Sequence, residues 1–82
     1  FHRKPGTGVF PGEGWFMSRG GNYLRGAIIG HGDVPVLQCI KIMNRDGFKG
    51  TLSIEFEGME DVLTGIRIGH ENLRRFVKMA KD

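Results

Sequence analysis

The stretch GTLSIEFEGMED, residues 50–61, holds the residues of this chain best suited to chemistry. Leu52, Ile54 and Phe56 alternate with Ser53, Glu55 and Glu57, and the period of two predicts a β-strand over residues 51–57, closed off by Gly50 and Gly58. One side of that strand is apolar and the other ends in two carboxylates. Facing water, Glu55 and Glu57 are a solvated edge. Facing a cavity, they are a site, because carboxylates are hard oxygen donors for a divalent cation and exchange protons when their pKa is raised.

Few other residues compete for a chemical role. His31, in GHGD, is a single histidine with no partner at ligand spacing and reads as structural. His70 lies in HENLR, which is not the H-E-x-x-H metal pattern, and the glycine pairs fit neither G-x-G-x-x-G nor a P-loop, so no nucleotide site is predicted. Trp15 and Phe16 have two readings that remain open: stacking on the apolar face of a sugar, or packing their own loop.

The elements that must position these residues come in two textures. Residues 1–32 are rich in glycine (GTG, GEG, GG, GHG), carry Pro5 and Pro11 and sustain no period, which predicts a long loop with at most a brief strand near residues 24–29. A loop of that length in a compact domain is most often functional. Its aromatic residues Trp15, Phe16 and Tyr23 argue against plain disorder. Residues 33–82 are regular. Asp33 is expected to cap a first helix with Val36, Leu37, Ile40 and Met43 on one face, ending at the turn Asp46-Gly47. After the strand, Asp61 is expected to cap a second helix whose apolar stripe is Val62, Ile66, Leu73, Phe76, Val77 and Ala80. Arg74, Arg75, Lys78 and Lys81 gather near its C-terminus, where the helix dipole favours cations.

Composition bounds the function classes. With 82 residues, 39% of them hydrophobic and 26% charged, the chain makes at most one small domain with a marginal core. No apolar run approaches the roughly 20 residues that span a bilayer, so neither a membrane segment nor a secretory leader is expected. Cys39 stands alone, and in a helical pattern it is expected to be a small buried thiol of a reducing compartment, with the cytoplasm as the default location. A net charge of +3 suits an anionic partner, but the basic residues are scattered along the chain rather than gathered as in a nucleic-acid interface. One strand between two helices also cannot satisfy its own backbone groups, so the chain is expected to be a piece of a larger α/β protein or to obtain strands from a partner copy.

The run from Gly30 to Arg75 resembles the C-terminal end of the xylose isomerase-like sugar phosphate isomerases and epimerases, the TIM-barrel superfamily that includes endonuclease IV. The resemblance is carried by a G-x-G turn at Gly30-His31-Gly32, a helix, the segment Gly47-Phe48-Lys49-Gly50 leading into Leu52-Ser53-Ile54-Glu55, and a last helix ending in Asn72-Leu73-Arg74-Arg75. Phe1-His2-Arg3 ahead of Gly6-Thr7-Gly8 is similar to the loop after the family's seventh strand.

The resemblance implies an α/β fold, the end of a (β/α)₈ barrel: residues 1–32 as the loop at the catalytic face, then helix seven, strand eight over residues 51–57, and helix eight. It places Glu55 at the catalytic mouth, where active sites of such barrels collect. There Glu55 would be one ligand of a divalent metal, Mn²⁺ or Mg²⁺ first and Zn²⁺ after them, and one of the carboxylates that move the substrate proton through an enediolate. Its other ligands would come from outside residues 1–82. Arg3 matches the family arginine that contacts substrate oxygen, with Trp15 and Phe16 beside the sugar or sugar phosphate. A chain without catalytic activity that pairs with itself or with another barrel segment is the alternative. Glu57 shares the parity of Glu55 but lies about 7 Å further along, past the expected strand end.

Overall fold

The computed structural model describes residues 1–81. It is a mixed α/β arrangement of three short strands and two helices: β1 (His2–Pro5), β2 (Phe16–Met17), β3 (Asn22–Arg25), α1 (Val36–Arg45) and α2 (Val62–Lys81).

The glycine-rich half, expected to be loop, contains an antiparallel sheet in the order β1-β3-β2. Arg3 pairs with Leu24 across β1 and β3, and Phe16 pairs with the same Leu24 from β2. These strands are two to four residues long, too short for a period of two to show in the sequence. They exist because each finds a backbone partner, β2 in a local hairpin with β3 and β1 at a distance from it, with turns supplied by glycines such as Gly21, whose φ of 84° falls in the left-handed region that glycine enters freely. The strand expected near residues 24–29 starts two residues earlier, at Asn22, and stops at Arg25.

Helix α1 ends where the sequence predicts. Gly47 has φ 79°, its N–H donates to the Asn44 carbonyl and the Phe48 N–H donates to the Met43 carbonyl, the paired bonds of a Schellman stop. Its start corrects the expected cap. The N-cap residue is Pro35, with no side-chain cap bond. Asp33 is engaged elsewhere: its Oδ2 accepts the Arg3 N–H at 2.7 Å and its own N–H donates to the Phe1 carbonyl at 2.6 Å. The carboxylate expected to start the helix instead ties down the beginning of β1. Cys39, expected to be buried, is exposed on α1, because the face that meets α2 runs through Ile40.

Helix α2 is capped as predicted, with the Thr64 N–H donating to Asp61 Oδ2 at 3.0 Å and the Thr64 hydroxyl to the same oxygen at 3.0 Å. Leu73, Phe76, Val77 and Ala80 of the predicted stripe are half-buried, and the buried face departs from the prediction in the first turns only. Gly65 and Gly69 are buried, whereas Val62 is 57% exposed, Leu63 79% and Ile66 39%. The reason is close approach: a Cβ on Gly65 would stand 2.7 Å from the Phe56 ring, and one on Gly69 would touch Ile29 at 3.6 Å. Asn72 Nδ2 donates to the Ile29 carbonyl at 2.8 Å and fixes the helix against residues 26–29.

The strand expected over residues 51–57 is not formed as a strand. Among the described residues it pairs with nothing along its length, and only Gly58 makes a parallel bridge, to Gly26. Burial still alternates, with Ile54, Phe56 and Gly58 half-buried and Ser53, Glu55 and Glu57 exposed, which is the period of an extended chain. The side chains take the predicted sides, but the ladder is missing because no neighbouring strand is at hand.

The core is correspondingly thin. Ile28 and Ile40 are its buried hydrophobic residues. The chain exposes 6225 Å², against about 4,900 Å² for a folded monomer of this mass. Its radius of gyration is 14.5 Å, against about 12 Å for a compact domain of this length. The molecule is open by both measures.

Candidate functional site

The apolar side of residues 51–57 turns to α2. Leu52 and Ile54 line a groove with Leu73 and Val77, and Phe56 packs at Gly65. The opposite side carries Glu55 and Glu57 into a cleft of about 250 Å³ whose other walls are Phe1, Gly26 and Ala27. Gly26 forms that wall because its backbone lies against the Glu57 carbonyl, where a Cβ would sit at 2.6 Å. Both carboxylates therefore face a cleft, and not open solvent alone. Glu57, set apart from Glu55 by its place beyond the expected strand end, shares the cleft with it.

Phe1 connects this cleft to β2. Its ring meets Phe16 edge to face at 6.1 Å, and the shared partner Leu24 puts Arg3 and Phe16 on one face of the sheet. Phe16 thus packs against Phe1 next to the carboxylate cleft. Arg3 lines a second cleft of about 340 Å³, together with His2, Lys4, Trp15, Arg25 and Asp33, so that Trp15 stands apart from Glu55. Of the four residues predicted for a common site, Glu55 occupies one cleft, Arg3 and Trp15 the other, and Phe16 reaches the first through Phe1.

His31 is exposed in its turn and its N–H donates to the Ile28 carbonyl at 2.8 Å, in keeping with a structural role. Gly32 beside it has no room for a side chain, since a Cβ would collide with the Phe1 backbone. The GHGD segment is a clamp on the beginning of β1. His70 lies on the far side of residues 51–57, in the groove against α2.

The oxygen donors of Glu55 and Glu57 are of the type that Mn²⁺ and Mg²⁺ prefer, but their number falls short of a metal site. Among the described residues no three histidine, cysteine, aspartate or glutamate side chains gather as a metal would require. This chain offers part of a ligand set at most. What the cleft can do with its own residues is hold a small polar molecule against Phe1 and present two carboxylates to it, one of which can take or return a proton.

Two residues of the second cleft, Lys4 and Arg25, carry contacts that the sequence reading did not single out. Both lie against Trp15, with Lys4 Nζ at 5.9 Å and Arg25 Cζ at 5.8 Å from the ring centre. Their grouping depends on the β1–β3 register, which sets His2 opposite Arg25, and its trace in the sequence is the excess of basic over acidic residues in the first 32.

No family model matches the chain, and no significant match to a characterised protein or to a solved structure was found. Among the described residues no helix is long and apolar enough to cross a membrane.

Proposed function

We propose that this chain forms the closing corner of a divalent-metal-dependent sugar or sugar-phosphate isomerase or epimerase of (β/α)₈ type, with Glu55 as its catalytic carboxylate. The observation that carries this reading is the side-chain arrangement of residues 51–57. The apolar residues lie on a helix and the acidic ones in a cleft, while the backbone between them has no ladder among the described residues. Such a segment suits a barrel strand whose neighbours come from elsewhere. In this role Glu55 removes the proton beside a substrate carbonyl, leaving an enediolate; the proton returns to the opposite face of the same carbon in an epimerisation, or to the former carbonyl carbon in an isomerisation, where the hydroxyl proton passes from one oxygen to the other. Phe16 walls the apolar side of the sugar through Phe1, and Arg3, which lines the neighbouring cleft, holds a substrate oxygen where the substrate extends past Phe1. Glu55 is the residue of this chain that would help hold a divalent metal, which would supply Lewis acidity when bound. A cytoplasmic setting belongs to the same reading.

The test is to compare Glu55→Gln and Glu57→Gln in the complete barrel. Glu55→Gln should lower turnover by roughly 10² to 10⁴, the range for a positioned acid or base, with a parallel loss of solvent deuterium incorporation into the sugar. Glu57→Gln should do much less. Normal turnover and exchange in Glu55→Gln would refute the assignment.

A second reading is favoured by the excess exposed surface: a noncatalytic module that self-associates or pairs with another barrel segment. Sedimentation of the 82-residue chain distinguishes the simplest form of it, since a stable oligomer is expected under this reading and a cooperatively folded monomer contradicts it.

A further inference from the structure

The cleft around Trp15 has a charge pattern of which the barrel reading uses Arg3 alone. Residues 1–32 hold four Lys and Arg against one Glu, while residues 33–82 hold eight against eight, so the whole net charge of +3 resides in the first part. Three of those four cations, Arg3, Lys4 and Arg25, line the one cleft together with His2. Asp33 is the carboxylate among its walls, and the Asp33 side chain already accepts the Arg3 backbone N–H. Among the described residues neither Arg3, Lys4 nor Arg25 has a salt-bridge partner. Arg25 Nε is buried without an acceptor.

We propose that this cleft is an oxyanion site that takes a phosphate group. Lys4 and Arg25 are held beside one indole ring, 5.9 and 5.8 Å from its centre, which concentrates like charge in a small space. Like charges brought together repel, and a buried donor without an acceptor costs free energy; an oxyanion between them relieves both. Phosphate suits the donors because a guanidinium pairs with two of its oxygens at once while an ammonium adds a compact charge. A cleft of about 340 Å³ has room for a phosphate monoester. The site stands apart from the carboxylate cleft, with which it shares no lining residue, and so it does not depend on the assignment of Glu55.

The chain has one tryptophan, so its fluorescence reports on this cleft directly. Inorganic phosphate, a hexose monophosphate, the unphosphorylated hexose and chloride at matched ionic strength are titrated against the chain by fluorescence and by calorimetry. Saturable binding of inorganic phosphate or the hexose monophosphate is expected, with no comparable response to the hexose or to chloride. Tighter binding of the monophosphate assigns the phosphate to a sugar, and equal or tighter binding of inorganic phosphate assigns it to the free ion. Arg25→Gln and Lys4→Gln should each weaken binding by about tenfold or more, as expected for a charge-assisted hydrogen bond, and Arg67→Gln, which removes an exposed cation of α2 outside this cleft, should leave it unchanged. Should Arg25→Gln lose its circular dichroism signal, the exposed Lys4→Gln decides. An equal response to chloride, no saturable binding, or undiminished binding in the Lys4 variant would overturn the proposal.

Discussion

The two parts of this molecule are stabilised in different ways. Residues 33–81 are built on two helices whose backbone hydrogen bonds are internal, so that each helix is specified locally and needs a neighbour only to cover one face. Residues 1–32 make three strands of two to four residues, and the β1–β3 ladder joins positions from 17 (Pro5 and Asn22) to 23 (His2 and Arg25) apart while β2–β3 is a short local hairpin. The helical part is electrically balanced and the strand part carries the net charge. Between them lie residues 51–57, which have the side-chain pattern of a strand and none of its pairing. Side-chain periodicity thus sets which way residues point, and pairing requires a partner that is present.

The largest test of this contrast is in the core. Ile40→Ala removes one of the two buried hydrophobic side chains, Ile40 being 3% exposed, and should destabilise the helical part by about 2 to 5 kcal/mol. Ile42→Ala, at a position 41% exposed on the same helix, should change stability by no more than about 0.5 kcal/mol. If the two parts are separable, thermal loss of helical circular dichroism in Ile40→Ala precedes any change in Trp15 fluorescence. A single shared transition would break the comparison.

A smaller effect separates the two buried glycines of α2. Gly69→Ala meets Ile29 at ordinary contact distance, 3.6 Å, and should stabilise the chain by about 0.5 to 1 kcal/mol through helix propensity. Gly65→Ala drives a methyl against the Phe56 ring at 2.7 Å and should be destabilising, since the ring must move off the helix. Equal melting temperatures for the two variants would mean that Phe56 does not pack on α2.

The smallest effect is electrostatic. The Asp61 carboxyl is held below its ordinary value of 3.8, first by the Thr64 backbone N–H and then by the Thr64 hydroxyl. A lowered folded-state pKa contributes stability that is present above 3.8 and is lost as pH falls through the folded value. Helical signal from α2 should therefore decline as pH drops below 3.8, and Asp61→Asn, which keeps a capping side chain, should flatten that part of the profile. An identical acid decline in Asp61→Asn would assign the effect to other carboxylates.

By itself the sequence determined the features that depend on near neighbours along the chain. The α1 stop at Asp46-Gly47, the Asp61 cap and the opposite sides taken by Phe56 and Glu55 all follow from residues a few positions apart. The α/β character of the fold was legible for the same reason. Tertiary structure alone decided the rest, because each remaining feature joins positions far apart in sequence. Asp33 left its expected cap for Arg3, thirty residues away. In its first turns the buried face of α2 moved from Val62 and Ile66 to Gly65 and Gly69 because Phe56 and Ile29 approach closely there, while Leu73, Phe76, Val77 and Ala80 stayed half-buried as expected. Trp15 parted from Glu55 and joined Lys4 and Arg25 through the β1–β3 register. A periodic pattern records which side of an element is apolar, and only the folded chain brings another surface to meet it.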